Sequence, residues 1–220
     1  MFSVCAVVRD EEDWVKGMIE SILPNLKEGE ELVVFDGGSK DKTIDILNSY
    51  LKTSPKFRLV HLKQDWEKRQ WKDEAAYRNA SWNHCENDWV LSIDADEAYD
   101  SPVFDLIRQI IPTTEKKAFY FPTINYFKST KKIINPFSFP DHHIRLANRK
   151  FFKWVGGIHA SLWLQGALPI TEQHHLAGTI PYPLHHYARV REDAMRPYGE
   201  IPKDTVEWDK ENPREEEFNG

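Results

Sequence analysis

The chain has 220 residues, 40% of them hydrophobic, enough for one domain with a real core. Its net charge of −6 argues against nucleic acid as a partner, and no apolar run approaches the ~20 residues that span a bilayer. Two cysteines, Cys5 and Cys85, read as reduced core residues; with no signal-peptide pattern around "SVCAVV", the expected compartment is the cytoplasm.

In chain order, "SVCAVV" (3–8) is a continuous apolar strand. "EEDWVKGMIESIL" (11–23) has Trp14, Val15, Met18, Ile19 and Ile22 at helical spacing, and Pro24 stops it. "ELVVFD" (31–36) is the second strand; Gly37-Gly38 turns the chain, and Ser39 or Asp41 is placed to cap the helix "KTIDILNSYL". "FRLVHL" (57–62) is a third strand, "DEAAYRNASWNHC" (73–85) a helix, "DWVLSID" (88–94) a fourth strand, and "PVFDLIRQII" (102–111) a helix. Strands apolar throughout and separated by amphipathic helices predict an α/β fold, with a mostly parallel sheet covered on both faces.

After residue 111 the pattern changes. "KAFYFPTINYF" (117–127) alternates like a strand, and "HHIRLANRKFFKWVGGIHASLWL" (142–164) reads as two or three short strands. The expected organisation is one domain over 1–200. Residues 1–111 form its parallel-sheet half, and 112–200 a smaller extension folded over one end of the sheet. The tail 201–220 is acidic and polar, a composition that favours disorder in its last stretch.

Ligands of open parallel α/β sheets bind beyond the carboxyl ends of the strands. Three such ends are polar: Arg9-Asp10-Glu11, Asp36-Gly37-Gly38-Ser39, and Asp94-Ala95-Asp96-Glu97. Asp94 and Asp96 are two apart, so an extended backbone points them the same way. Carboxylates crowded on one side are stable together when a cation joins them. A hard divalent ion completes its oxygen shell with water and phosphate. The residues thus offer a platform for a metal and a diphosphate; the other reading is a solvated turn in which Asp94 caps the next helix.

"SVCAVVRDEE", "VVFDGGSKDKT", "AAYRNAS" and "DWVLSIDADE", in this order and spacing, resemble glycosyltransferase family 2, which has the GT-A fold. The subgroup most resembled is the lipopolysaccharide-core β-1,4-glucosyltransferase type. Its marks here are Trp66 ahead of Arg78-Asn79, and "IRLANRKFFKWVGGIHASL" with an Arg-Leu, a Gly and a His. The resemblance implies transfer of a sugar from a nucleotide-sugar donor, a UDP-sugar, with inversion. The acceptor would be a hydroxyl of a glycan, a lipid-linked saccharide or another molecule. It implies Mn²⁺ or Mg²⁺ as cofactor, no nucleic acid, and at most peripheral contact with a membrane.

Residue by residue, Asp36 resembles the acid that binds the nucleobase or ribose; its alternative is to cap the turn at Gly37. Arg9 and Glu11 stand where the family lines the nucleotide pocket, or serve as helix-start residues. Arg78 resembles the Arg that faces the diphosphate, against an exposed helix salt bridge. Asp94 is expected at the ribose and metal, and Asp96 on the metal itself. His159, after Gly156-Gly157, resembles a His near metal and diphosphate. His185 or His186, in "HHYAR", is placed to contribute likewise. For the general base the family's Glu after this His is missing, since Ala160 stands there. Asp141, just before the Arg-Leu segment, is the first candidate and Glu97 the second. A nucleotidyltransferase would open with a Gly-rich basic loop where this chain has "RDEED". A non-catalytic sugar-nucleotide binder on the same fold is the other alternative.

Overall fold

The structure is a computed structural model that describes residues 1–61, 74–127, 129–134, 141–157, 160–165, 168–189 and 205–207. In chain order the first half holds β1 (Ser3–Val8), α1 (Val15–Ile22), β2 (Glu31–Asp36), α2 (Thr43–Thr53), β3 (Phe57–His61), α3 (Glu74–Asn83), β4 (Trp89–Ile93), β5 (Glu97–Tyr99) and α4 (Pro102–Ile110). The second half holds β6 (Ala118–Phe127), β7 (Ser129–Ile134), β8 (Asp141–Asn148), β9 (Phe152–Val155), β10 (Ser161–Leu164), β11 (Ala177–Thr179), β12 (Leu184–Arg189) and β13 (Thr205–Glu207).

β1, β2, β3 and β4 pair in parallel in the order β3-β2-β1-β4, with Val8 opposite Asp36 and Asp36 opposite His61. The carboxyl ends of β1, β2 and β3 therefore finish level, and β4 ends at Ile93, opposite Ala6 of β1. Alternation along each strand divides the core between the two faces of the sheet. Val4, Ala6 and Val8 pack with Val15, Met18, Ile19 and Ile22 of α1 and Val103, Phe104 and Ile107 of α4. Cys5, Val33 and Val90 face the other way, onto Ala75 and Trp82 of α3, Cys85, and Trp154 of β9. Both cysteines are buried and free, as their apolar settings predict.

Two expectations change. The first helix starts at Val15, not at residue 11. The chain before it is tethered to the next loop: the amides of Asp10, Glu11 and Glu12 donate to Ser39 Oγ, Thr43 Oγ1 and Asp41 Oδ2. These bonds tie the segment to the neighbouring loop, and Asp10 takes a left-handed φ of 56°. The second half is also more than a cover. β8 pairs antiparallel with β4 and with β6, so the sheet continues as β13-β7-β6-β8-β4. It is parallel through the first half and mixed beyond. β12 then lies between β6 and β5, which sets His186 opposite both Asn125 and Glu97. Of the acidic tail, residues 205–207 pair with β7 as β13.

Candidate active site at the strand ends

The loop after β1 and the loop after β2 are locked together. Besides the three amides above, Lys40 N donates to Asp10 Oδ1 and Lys42 N to Glu12 Oε2. Gly37 lies so close to β1 that a Cβ on it would stand 3.2 Å from Arg9 Cβ and from the Val8 carbonyl. Asp36 is buried and turned into its own loop. Its carboxylate accepts from Gly38 N (3.0 Å) and from the Ser39 hydroxyl (2.6 Å). The turn-capping alternative is thus what its oxygens do here. Arg9 lies against Gly37, with its Nε 3.7 Å from the Asp10 carboxylate. Glu11 supplies the carbonyl that accepts from Trp14 N and Val15 N at the start of α1.

At the end of β4 the acids are held apart by two guanidiniums. Arg78, one turn into α3, is set by Glu74 (Nε–Oε1, 2.7 Å) and stacks at 5.0 Å on the Trp154 ring. It donates through Nη2 to Asp94 Oδ1 at 2.9 Å. Arg145, buried on β8, reaches the other Asp94 oxygen at 3.2 Å and donates to Glu97 Oε1. Glu97 Oε2 in turn accepts Asp94 N at 2.9 Å. Burial alone would raise the Asp94 pKa, but Arg78 and Arg145 hold it well below the ordinary carboxylate range. Burial also pushes Glu97 up, opposed by Arg145.

Asp96 is different. Among the described residues no guanidinium touches it; its neighbour is His186, whose Nε2 lies 3.6 Å from Asp96 Oδ2. Burial lowers the His186 pKa, but Asp96 outweighs it and the net shift is upward. His186 Nδ1 meets Asn125 Oδ1 at 2.6 Å, Asn125 Nδ2 faces Asp141 Oδ2 at 3.4 Å, and His143 Nε2 lies 3.0 Å from the same Asp141 oxygen. A polar chain thus runs from Asp96 to Asp141 across β12, β6 and β8.

The predicted residues divide accordingly. Asp94, Asp96, Glu97 and Arg78 come together, with Asp141 at the end of the polar chain. His185 does not join them. It is buried, with Nδ1 at Tyr126 Oη (2.9 Å) and Nε2 at Asp100 Oδ2 (3.0 Å). Adjacent strand residues point to opposite faces, so of the two histidines named from the sequence it is His186 that faces Asp96. His159 and Trp66 lie outside the described residues. Glu97 is 3% exposed and committed to Arg145 and Asp94, the geometry of a positioning group. Arg145 was not singled out from sequence. Its signal was there: an Arg inside an apolar strand needs carboxylate partners.

A carboxylate oxygen and an imidazole nitrogen suit Mn²⁺. Among the described residues no group of three His, Cys, Asp or Glu side chains is arranged to hold an ion alone. The Asp96–His186 pair fits an ion that draws its other ligands from a diphosphate and water.

The sequence profile of Glycosyl transferase family 2 matches residues 3–165. A TPR repeat-containing protein of Synechococcus elongatus is 31% identical over 117 residues, 53% of this chain and 26% of that protein. The lipopolysaccharide core biosynthesis glycosyltransferase LpsC of Rhizobium meliloti is 25% identical over 115 residues, 52% of this chain and 37% of its own. The chain thus spans well under half the length of these relatives. Among solved structures, S. aureus TarS 1-349 in complex with UDP-GlcNAc superposes with a TM-score of 0.60 at 13% identity, covering 90% of this chain and 61% of that one. That likeness is one of fold.

Proposed function

The chain belongs to glycosyl transferase family 2, and from that premise we propose that it is a metal-dependent, inverting glycosyltransferase. It moves a sugar from a UDP-sugar to a hydroxyl of a glycan, a lipid-linked saccharide or another acceptor. The observation that carries this reading is the uneven compensation at the end of β4. Asp94 and Glu97 are neutralised by Arg78 and Arg145, while Asp96 is left beside an imidazole. That arrangement supports a single cation site next to a phosphate-binding guanidinium. UDP-GlcNAc, the ligand named for the S. aureus protein of the same fold, agrees with a uridine donor.

In this reading the nucleoside occupies the crevice between the locked loops, with Arg9 and Glu11 at its edge and Asp36 shaping its floor. Asp96 and His186, with His159 as the third ligand expected from the sequence, would hold Mn²⁺ or Mg²⁺, which would supply positive charge for the departing diphosphate. Arg78 adds a second positive group on the same side. The acceptor oxygen attacks the anomeric carbon from the opposite face. The bond to the diphosphate oxygen breaks and the acceptor's proton passes to Asp141. The hydrogen bond from His143 lowers the Asp141 pKa against the effect of burial, so the carboxylate is ionised and able to accept it. Residues 1–111 form the donor half and 112–200 the acceptor side of one domain. No helix among the described residues is long and apolar enough to cross a membrane. A cytoplasmic location belongs to the same proposal and agrees with two free, buried cysteines.

The test is a panel of nucleotide sugars with Mn²⁺, scored by thermal shift and by released nucleoside diphosphate, with Asp96→Asn beside the unaltered protein. One UDP-sugar should stabilise the protein and release UDP only with metal, and Asp96→Asn should weaken this about 10–100-fold. Binding that ignores both the metal and Asp96 would defeat the reading.

A further inference from the structure

Two successive residues of α3 grip the same tryptophan. Asn79 holds its main chain: Nδ2 donates to the Trp154 carbonyl at 2.8 Å, and Oδ1 accepts Trp154 N at 2.9 Å. β9 pairs with β10 in a two-stranded sheet, and among the described strands with no other. The amide of Asn79 thus meets β9 as the backbone of a further strand would. Its two ends cannot exchange places, because a backbone N–H only donates and a carbonyl only accepts. Asp would offer acceptors alone and Ser a single oxygen, so the residue type follows from the task.

Arg78 holds the other part of that tryptophan. Its guanidinium lies 5.0 Å from the centroid of the Trp154 ring, and Trp82 meets the ring edge to face with centroids 5.5 Å apart. Glu74, which sets Arg78 through Oε1, uses Oε2 to accept Ala160 N at 3.3 Å, so α3 holds the β9–β10 hairpin at a second point. An aromatic face steadies a guanidinium without using any of its N–H donors. The donors of the fork are thereby kept for Asp94 and for an anion.

We infer that Asn79 is a positioning residue that seats the Trp154 ring under Arg78 and so fixes the plane in which Arg78 presents its donors to the donor diphosphate. The inference takes from the proposed function only the ligand of Arg78; the seat itself is a property of the free protein.

The experiment reads both. In free protein the Arg78 side-chain ¹H and ¹⁵N signals should carry the ring-current shift of the indole, with Trp154→Leu as the reference that lacks it. Asn79→Ala should move these signals most of the way to the reference. Calorimetry with UDP and with uridine should show Asn79→Ala weakening UDP about 10-fold, the effect of a lost charge-assisted contact, and leaving uridine unchanged. In an Arg78→Ala background the same substitution should cost UDP nothing further. Asn79→Asp keeps the acceptor for Trp154 N and loses only the donor; it should show both changes in smaller measure, and it decides if Asn79→Ala does not fold. Arg78 signals that stay in place in the folded variant overturn the inference, as do equal losses for UDP and uridine or a full further loss without Arg78. An unaltered protein that binds UDP no better than uridine would strike the proposed donor site instead, and the Arg78 signals would still decide this inference.

Discussion

At the scale of single residues, Arg145 decides whether the acids can stay where the chain puts them. It is 10% exposed by its side chain and touches two carboxylates, one of them, Glu97, almost wholly buried. Removing one partner of a buried ion pair leaves the other uncompensated, at about 3–5 kcal/mol. Arg145→Met should lose stability on that order in urea unfolding, and Arg145→Met with Glu97→Gln should recover part of it. A single variant as stable as the unaltered protein would show that Arg145 is not the compensating charge. Asp141 offers a second test through pH. His143 holds its pKa down, so the base form persists to lower pH than an ordinary aspartate allows. Without His143 the pKa rises, and the acid limb of kcat/KM should move to higher pH in His143→Ala. An acid limb that stays in place would detach Asp141 from the proton transfer. The acids at the end of β4 were legible because charge at the end of an apolar run is conspicuous. Arg145 was not, because its partners lie 48 and 51 positions away and meet it only through the pairing of β8 with β4. Choosing between His185 and His186 needed the register of β12, which no local pattern supplies.

At the scale of elements, the strand ends are fixed by loops that bond to one another more than to themselves. Asp36 is the pivot: it caps the turn at Gly38 and Ser39, and Ser39 Oγ in turn accepts Asp10 N from the loop after β1 at 3.0 Å. Gly38 itself takes a φ of 84°, a conformation suited to glycine. Asp36→Ala should therefore act twice. The carboxylate gives these half-buried donors a charged acceptor, and a hydrogen bond to a charged group contributes about 1.5–3 kcal/mol at most here, so the melting transition should fall. UDP affinity should fall with it, because the proposed nucleoside site lies at these two loops. Unchanged stability in that variant would mean that the turn does not depend on the carboxylate. The first four strands were legible because each is a mainly apolar run, and β1 and β2 are each followed by a helix with one apolar face. β5 was not: its three residues, Glu97–Tyr99, become a strand only through Leu184, His185 and His186 of β12. The start of the first helix was misplaced for a related reason. Its spacing extends back to Trp14, but hydrogen bonds to a loop some 30 residues on govern the backbone there.

At the scale of the molecule, residue 111 does not divide the folding of the chain. β4 has β1 on one side and β8 on the other. The core that buries α4 also contains Phe119, Phe121, Leu146, Ile180 and Leu184, all from beyond that point. Tyr99 packs on Phe121 at 5.4 Å, and its hydroxyl donates to the Ser92 carbonyl at 2.8 Å. Cutting the chain after Ile111 would expose the edge of β4, uncover that apolar surface, and strip Asp94 and Glu97 of Arg145. The ion-pair loss alone, about 3–5 kcal/mol, is a large share of the roughly 5–15 kcal/mol that holds a typical domain together. The fragment 1–111 should therefore show no cooperative unfolding in urea by circular dichroism, while 1–189 should unfold in a single transition. Its ability to bind UDP should be lost as well, since the loops depend on strand ends that the sheet no longer aligns. A fragment 1–111 that unfolds cooperatively would establish the donor half as a folding unit, and would make the later strands an addition to it instead of part of its core.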